Sequence, residues 1–417
     1  MISAVGFIPV LMLICHIVLL PLSPVAMAVE SDPLSSDDAS IAVPVLDDQV
    51  KAEQKTSTSD RPLESCEIAP GVSLVKQHRI ESYGPVAVNI LAVTPTPQVS
   101  LSIGLATRGS LGLEPLSAIA EREGALAAVN GTFFHWSGLP LGLLVDRGVL
   151  ISAPVYERTT LVMLTDGSGG LDRVLLRIWL QLADGTRLPV HGVNRQAKSG
   201  ECVIYNTAFA RETPSFAPEQ ELVLRDGIVI GRAYGGTPLA PGTVVVAGDP
   251  TGRLRMLEVG EHCRVAWEIH LSEAKVTIPG ECVWFALGGG PRLVTRANIT
   301  VTSDREQFRS DVSQGRAPRT AIGFTAEGTL LLVTVDGRQP SVSVGMTLEE
   351  LAALMVELGA VEAMNLDGGG STTMVVRDNV VNMPSNGVER ALSSALLIMV
   401  EAAEAADALE AATVTCQ

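Results

Sequence analysis

Between residues 156 and 285 no stretch of useful length repeats its apolar residues at helical spacing, and nothing else in the chain narrows the architecture as much. The segment alternates short apolar runs with Asp184-Gly185, Asp226-Gly227 and Pro241-Gly242, dipeptides that reverse a chain. Strands and loops are the expectation there. Short β-rich runs at 72–79, 86–93 and 99–105 precede it, and 141–145 with 149–151 flank Asp146-Arg147-Gly148 as a hairpin. Strand signals return at 285–287, 320–324, 330–335 and 394–400. Two helices break the pattern, one over roughly 114–123 and one over 347–358, where Leu348, Leu351, Ala352, Met355 and Leu358 recur along one face. The expected fold class is α+β: a mixed β-sheet body with few helices and a β-rich middle section over 156–285.

After the second helix, Ala363-Met364-Asn365-Leu366 reads as a buried strand that delivers Asp367 to its end. Gly368, Gly369 and Gly370 follow, then Ser371, Thr372 and Thr373. Consecutive glycines permit backbone conformations closed to other residues and clear side chains away, so that successive N–H groups can face an anion. The lysine of a nucleotide P-loop is missing, and a plain glycine turn between strands is the competing reading. The order helix, short apolar strand, Asn or Asp, glycine also occurs earlier, where Ala125-Leu126-Ala127-Ala128-Val129 leads into Asn130-Gly131.

Residues 1–28 contain no Asp, Glu, Lys or Arg, and 7–20 are nearly all apolar. That run suits the core of a signal peptide better than a membrane span, and Ala26-Met27-Ala28 supplies a cleavage pattern. An uncleaved N-terminal anchor is the alternative. Residues 29–65 carry nine acids against three bases and read as a disordered linker, and 401–417 as an alanine-rich C-terminal helix or tail. The main domain is therefore expected over 66–400, in an exported protein that is secreted, periplasmic or associated with the cell envelope. Both flanking segments are acidic, and the body remains negative without them, which argues against nucleic-acid backbones as partners. No integral membrane partner is implied, and oligomeric state is left open.

Setting Cys15 aside with the leader leaves Cys66, Cys202, Cys263, Cys282 and Cys416. An exported chain is expected to join at least two of these, with Cys263 and Cys282 the first candidates because they are close in sequence beside strands. No Cys-x-x-Cys or His-x-x-x-His pair points to structural zinc. Clustered Asp, Asn and carbonyl groups would suit Ca²⁺ or Mg²⁺, but no EF-hand spacing is present and the sequence shows no required cofactor.

Polar residues gather at the ends of the expected strands: Asn130, Arg319 and Thr320, Asp336 and Arg338, Asp367 through Thr372, and Glu389-Arg390. Taken singly, each has a bland reading as a turn, a solvated strand start or a hairpin. In order, Asn130-Gly131-Thr132-Phe133-Phe134, Gly288-Gly289-Gly290-Pro291, Arg319-Thr320-Ala321-Ile322-Gly323, Val335-Asp336-Gly337-Arg338, Gly345-Met346-Thr347, 365–373 and 382–390 resemble the phosphodiester glycosidase family. The resemblance covers roughly 85–400 and is strongest after 285.

That resemblance implies hydrolysis of a sugar–O–phosphate bond on the sugar side, for example of an N-acetylglucosamine-1-phosphodiester. A phosphate leaving group is a weak base, so neutralising it should matter more than protonating it, and the planar fork of arginine suits the task. Arg319, Arg338 and Arg390 are then candidates for a phosphate clamp, with Thr320 and the Gly368, Gly369, Gly370, Ser371, Thr372 loop as further donors. Asp367 or Asp336 would act at the anomeric carbon or its water, and Asn130 would orient sugar or water. The competing account of the two aspartates is that they are structural caps held by arginines. A non-catalytic envelope protein that binds glycans in exopolysaccharide handling is the alternative function.

Overall fold

The computed structural model describes residues 64–108, 112–215 and 220–400. The expected leader at 1–28, nearly all of the acidic linker and the tail at 401–417 lie outside the described residues. The sheet begins two residues inside the expected linker, with the strand Glu64–Ala69.

The fold is mostly β, with three α-helices among the described residues, so the α+β expectation holds only in the sense that a few helices decorate sheets. The expected mixture of strand directions is nearly absent. Every pairing between these strands is antiparallel except that of Gly192–Val193 with Val203–Tyr205.

An eight-stranded sheet runs Glu64–Ala69, Val72–Glu81, Gly84–Val93, Leu330–Val335, Arg319–Thr325, Ala360–Asn365, Arg292–Thr295, Asn298–Ile299. A five-stranded sheet runs Asn379–Val380, Met374–Val376, Ala127–Asn130, Ser394–Val400, Val99–Leu105. Leu91, Ile322, Leu332 and Met364 of the first pack with Val129, Met374, Leu396 and Ile398 of the second in one core. Leu144, Leu161, Phe285 and Leu287 of a third sheet close that core.

The outer face of the eight-stranded sheet is covered by the helix Leu348–Glu357, whose Leu348, Leu351, Ala352 and Met355 bury against Val88, Ala321 and Val333. Burial on both faces is why 330–335 is apolar without alternation. That helix starts with a capping box: Thr347 Oγ1 accepts from the Glu350 amide at 3.2 Å, and Glu350 accepts from the Thr347 amide at 2.9 Å. The helix Leu116–Glu123 covers the five-stranded sheet in the same manner, through Leu116, Ile119 and Ala120.

The middle section is strand and loop, as its periodicity implies, with only single 3₁₀ turns between strands. It forms its own core around Leu180, Leu222, Val246 and Ile269. The expected Cys263–Cys282 bridge is not there: both cysteines are free thiols. The strand Val276–Pro279 accompanies Cys263–Leu271 only as far as Glu268↔Pro279, then leaves through the turn at 280–282 before it comes alongside Cys263. Buried in the lobe, the Cys263 thiol is pushed up to about 11 by loss of solvent. Cys416 lies outside the described residues.

Candidate active site

Three neighbouring strands of the large sheet bring the site together. Arg319–Thr325 pairs with Leu330–Val335 in the register Arg319↔Val335, and with Ala360–Asn365 in the register Ala321↔Asn365. Because both pairings are antiparallel, the start of the central strand and the ends of its neighbours share one rim. Thr320, Asp336 and Asp367 are thereby brought to the same edge from positions far apart in sequence.

The second sheet reaches this rim through Asn130, the last residue of its strand. Its amide Nδ2 donates to the Asp367 carbonyl at 2.6 Å, while its Oδ1 accepts from Thr320 Oγ1 at 2.7 Å and from the Thr373 amide at 3.2 Å. The Asp367 amide in turn donates to the Gly131 carbonyl at 3.5 Å. The two helix–strand–Asn/Asp–glycine stretches of the sequence therefore meet end to end. Asn130, Thr320 and Thr372 are buried, and Thr320 Oγ1 is 3.4 Å from Thr372 Oγ1. They are internal posts of the rim.

The glycine turn does not present the row of free amides that its composition suggests. Gly369 N–H donates to the Pro318 carbonyl at 2.8 Å, Gly368 N–H to Asp367 Oδ1 at 3.0 Å, and the amides of Ser371 and Thr372 to carbonyls within the turn. Gly368–Gly370 instead make room for guanidiniums. A Cβ on Gly369, whose φ is 62°, would stand 3.2 Å from Arg338 Nη2, and one on Gly370 would overlap the Arg390 guanidinium. Arg390 Nη1 also donates to Ser371 Oγ at 3.5 Å. Both arginines are exposed, and among the described residues neither lies within ion-pair distance of a carboxylate.

Arg319 has a different environment. It is 3% exposed, and its Nε, Nη1 and Nη2 donate to the carbonyls of Met346, Val312 and Gly315 at 2.8–2.9 Å. Burial lowers its pKa to about 10. The side chain braces the loops behind the rim, whereas Arg338 and Arg390 stand on it.

The two aspartates also divide. Asp336 is 3% exposed, and its Oδ1 accepts from Asn382 Nδ2 and from the Met383 amide, each at 3.0 Å. Burial pushes this carboxyl up to about 6 despite those two donors. Asp367 keeps part of its surface open. Crowding by surrounding protein pushes its carboxyl up to about 6 as well, opposed by hydrogen bonds from Ser371 and Gly368 and by the charge of Arg390. A carboxyl with that value changes protonation just below neutral pH, where it can exchange protons in a reaction.

Residues that sequence reasoning left out of the site complete it. Asn382 donates to Asp336 and to the Thr372 carbonyl, and accepts from the Met374 amide at 2.8 Å. It fixes the root of the 382–390 loop that carries Arg390. Its place at the head of a motif was the available signal. Ser343, which donates to the Asp336 carbonyl at 2.6 Å and accepts from the Ala87 amide at 3.1 Å, had none. Among the described residues no three His, Cys, Asp or Glu side chains converge to hold a metal, and Asp336 Oδ1 already faces two N–H donors, so the donor set does not fit Ca²⁺ or Mg²⁺.

Residues 199–399 match the sequence profile of the phosphodiester glycosidase family. The prophage-derived protein YomE of Bacillus subtilis is 42% identical over 81 residues, 19% of this chain and 12% of its own length. The mouse N-acetylglucosamine-1-phosphodiester α-N-acetylglucosaminidase is 32% identical over 127 residues, 28% of this chain and 24% of its own. The human enzyme of the same name is 40% identical over 68 residues, 16% of this chain and 13% of its own. This chain thus spans 12–24% of the length of these curated relatives. Among solved structures, a hypothetical protein from Synechocystis superposes with a TM-score of 0.69 at 25% identity, over 82% of this chain and 64% of that one. A protein described as exported, from Burkholderia pseudomallei, gives a TM-score of 0.62 at 26% identity, over 76% and 74%. The profile match runs from the middle section into the final strand and takes in both aspartates with their arginines, and it is the phosphodiester glycosidase family that this part of the chain matches.

Proposed function

We propose that this chain hydrolyses sugar-1-phosphodiesters, of the N-acetylglucosamine-1-phosphodiester kind, outside the cytoplasm. The observation that carries the reading is the pair of exposed, carboxylate-free guanidiniums of Arg338 and Arg390 over Gly369 and Gly370, beside the partly open Asp367. Two cations outside ion-pair distance of any carboxylate at a strand rim suit a phosphate diester, and the sugar attached to it would lie toward Asp367. Water adds to the anomeric carbon, and Asp367 takes its proton. The bond between that carbon and the phosphate oxygen breaks with its electron pair going to the oxygen, which leaves as a phosphomonoester held by the arginines. Asn130, Thr320, Thr372 and Arg319 hold the rim in shape, and Asp336 with Asn382 stations the loop of Arg390.

Export is supported by the uncharged apolar run before Ala26-Met27-Ala28 and by the likeness to a protein described as exported. N-terminal sequencing of the protein recovered from envelope or medium should begin near Val29.

The activity is tested with UDP-N-acetylglucosamine and with methyl-phospho-N-acetylglucosamine, resolving products. Free reducing N-acetylglucosamine with the phosphomonoester is expected. Release of N-acetylglucosamine 1-phosphate would mean cleavage on the phosphorus side. Binding without turnover would favour the glycan-binding alternative.

A further inference from the structure

None of the four tryptophans of this aromatic-poor chain is fully buried. Trp179 and Trp267 are half-covered: the Arg187 guanidinium sits 4.5 Å from the Trp179 ring centroid, and Gly280 packs against the Trp267 ring. Trp136 is 82% exposed, and the ring it touches is that of His135, itself exposed, tilted at 46° with 5.0 Å between centroids. An indole left in water forgoes the burial that its size would reward, so such a residue marks a surface where something else covers it.

Trp136 does not hang on a loose loop. The amide of His135 donates to the Leu139 carbonyl at 2.9 Å, that of Gly138 to the His135 carbonyl at 2.8 Å, and Phe134 bridges to Pro140. Gly138, with φ 87°, lies so close to Gly112 that a Cβ there would meet the Gly112 carbonyl oxygen at 2.5 Å. Ser137 occupies His135 Nδ1, with its Oγ at 2.9 Å and its amide donating at 3.3 Å, which leaves Nε2 as the ring nitrogen for another partner.

The turn belongs to the same rim as the candidate site. It follows directly on Thr132, and Asn130 and Gly131 just before it hold the backbone of Asp367. From Gly112, against which it packs, the chain runs to Glu114, which pairs with Leu392, and to Ser117, whose amide and hydroxyl donate to Glu389 at 2.9 and 2.6 Å. The next residue is Arg390, which reaches Ser371. The turn that carries Trp136 and the loop that carries Arg390 are thus both tied to the segment 112–117.

We infer that Trp136 is the stacking platform for the pyranose ring of the substrate, with His135 Nε2 hydrogen-bonded to one of its hydroxyls. The C–H face of a sugar is apolar and flat enough to cover an indole, while its edge is polar, and this pair presents both kinds of partner. The inference rests on the proposed glycosidase reading. It assigns sugar selection to the turn at 133–140, apart from the arginines that take the phosphate.

The test compares wild type, Trp136→Ala, Trp136→Phe and His135→Ala for binding of N-acetylglucosamine 1-phosphate, N-acetylglucosamine and inorganic phosphate. Calorimetry gives the affinities, and the fluorescence difference between wild type and Trp136→Phe isolates this indole from the other three. Trp136→Ala should weaken the sugar phosphate about tenfold or more and raise KM with kcat little changed, while inorganic phosphate binds as before. Trp136→Phe should recover part of the loss. Because the side chain is exposed, unchanged Tm is expected and is measured alongside. Equal affinities for the sugar phosphate in wild type and Trp136→Ala would overturn the inference alone. A wild type that binds none of the sugar probes would overturn it together with the glycosidase reading.

Discussion

The side-chain amide of Asn130 donates to the carbonyl of Asp367 at 2.6 Å and thereby joins the ends of two strands from different sheets, 237 residues apart in sequence. Its oxygen takes two further donors, from Thr320 and Thr373. One buried side chain therefore sets the backbone that carries the candidate catalytic carboxylate.

Asn130→Ala would leave one buried acceptor and two buried donors without partners. A loss of roughly 3 kcal/mol in unfolding free energy is expected, since each stranded group costs about 1–3 kcal/mol and some will rearrange. Activity should fall by more than the loss of folded protein explains, because the Asp367 backbone loses its tether. Urea unfolding and kcat/KM on the same preparation check both parts. A variant that melts like wild type would show that the tether is dispensable.

The arginines should separate by readout. Arg338→Gln removes an exposed cation without stranding any carbonyl, so its Tm should stay near wild type while kcat/KM for a phosphodiester falls on the order of 10²-fold, as for loss of an electrostatic donor. An uncharged activated glycoside should suffer far less. Arg319→Met removes donors from three carbonyls at once, and its dominant effect should be on stability, about 3 kcal/mol or more. Equal losses on both substrates for Arg338→Gln would remove it from the phosphate site.

Much of this rim was legible in the sequence, because strand ends are marked by where apolar runs stop. The strand predicted over 394–400 is observed as Ser394–Val400, and the helix predicted over 347–358 as Leu348–Glu357 with Thr347 as its cap. The repeated helix–strand–Asn/Asp–glycine order placed Asn130 and Asp367 at strand ends, though not against each other. What could not be read was the direction of groups whose partners come from elsewhere. Arg319 looked like a clamp because its type suits phosphate, but the carbonyls of 312, 315 and 346 reach it only through the path of two loops. The amides of the glycine run turn inward for a similar reason: Pro318, distant in sequence, offers its carbonyl to Gly369. The 263–282 thiol pair failed because proximity in sequence says nothing about where a hairpin ends.

The charge of Arg390 opposes the burial that raises the Asp367 carboxyl to about 6. If Asp367 works as a base, kcat/KM rises with pH through a limb near that value and levels off above it. Arg390→Gln withdraws the opposing charge, so the limb should move to higher pH in addition to any loss of phosphate affinity. A pH profile of kcat/KM measured for both proteins decides it, and a limb that stays in place or moves down would mean that Asp367 does not control it.

Asp336 offers a test in stability rather than rate. Its carboxyl is raised by burial from 3.8 to about 6, so the folded protein holds this proton more tightly than the unfolded chain does. Below about pH 3.8 both states are protonated and above about pH 6 both are ionised. In between the folded state binds more protons, and stability must fall as pH rises through that window. The rise corresponds to roughly 3 kcal/mol, developed fully by neutral pH. Asp336→Asn keeps an oxygen for Asn382 and Met383 to donate to, and has no charge to desolvate. The unfolding free energies of wild type and variant should therefore lie close together near pH 4 and diverge toward pH 7, with the variant the more stable. Carboxylates whose pKa values are lowered, such as Glu201 and Asp249, push the other way but cancel in the difference. Urea unfolding of both proteins at several pH values gives that difference directly. Curves that stay parallel from pH 4 to 7 would show that Asp336 is not held against its own ionisation, and would remove the reason for treating it as a buried station rather than a second acid of the site.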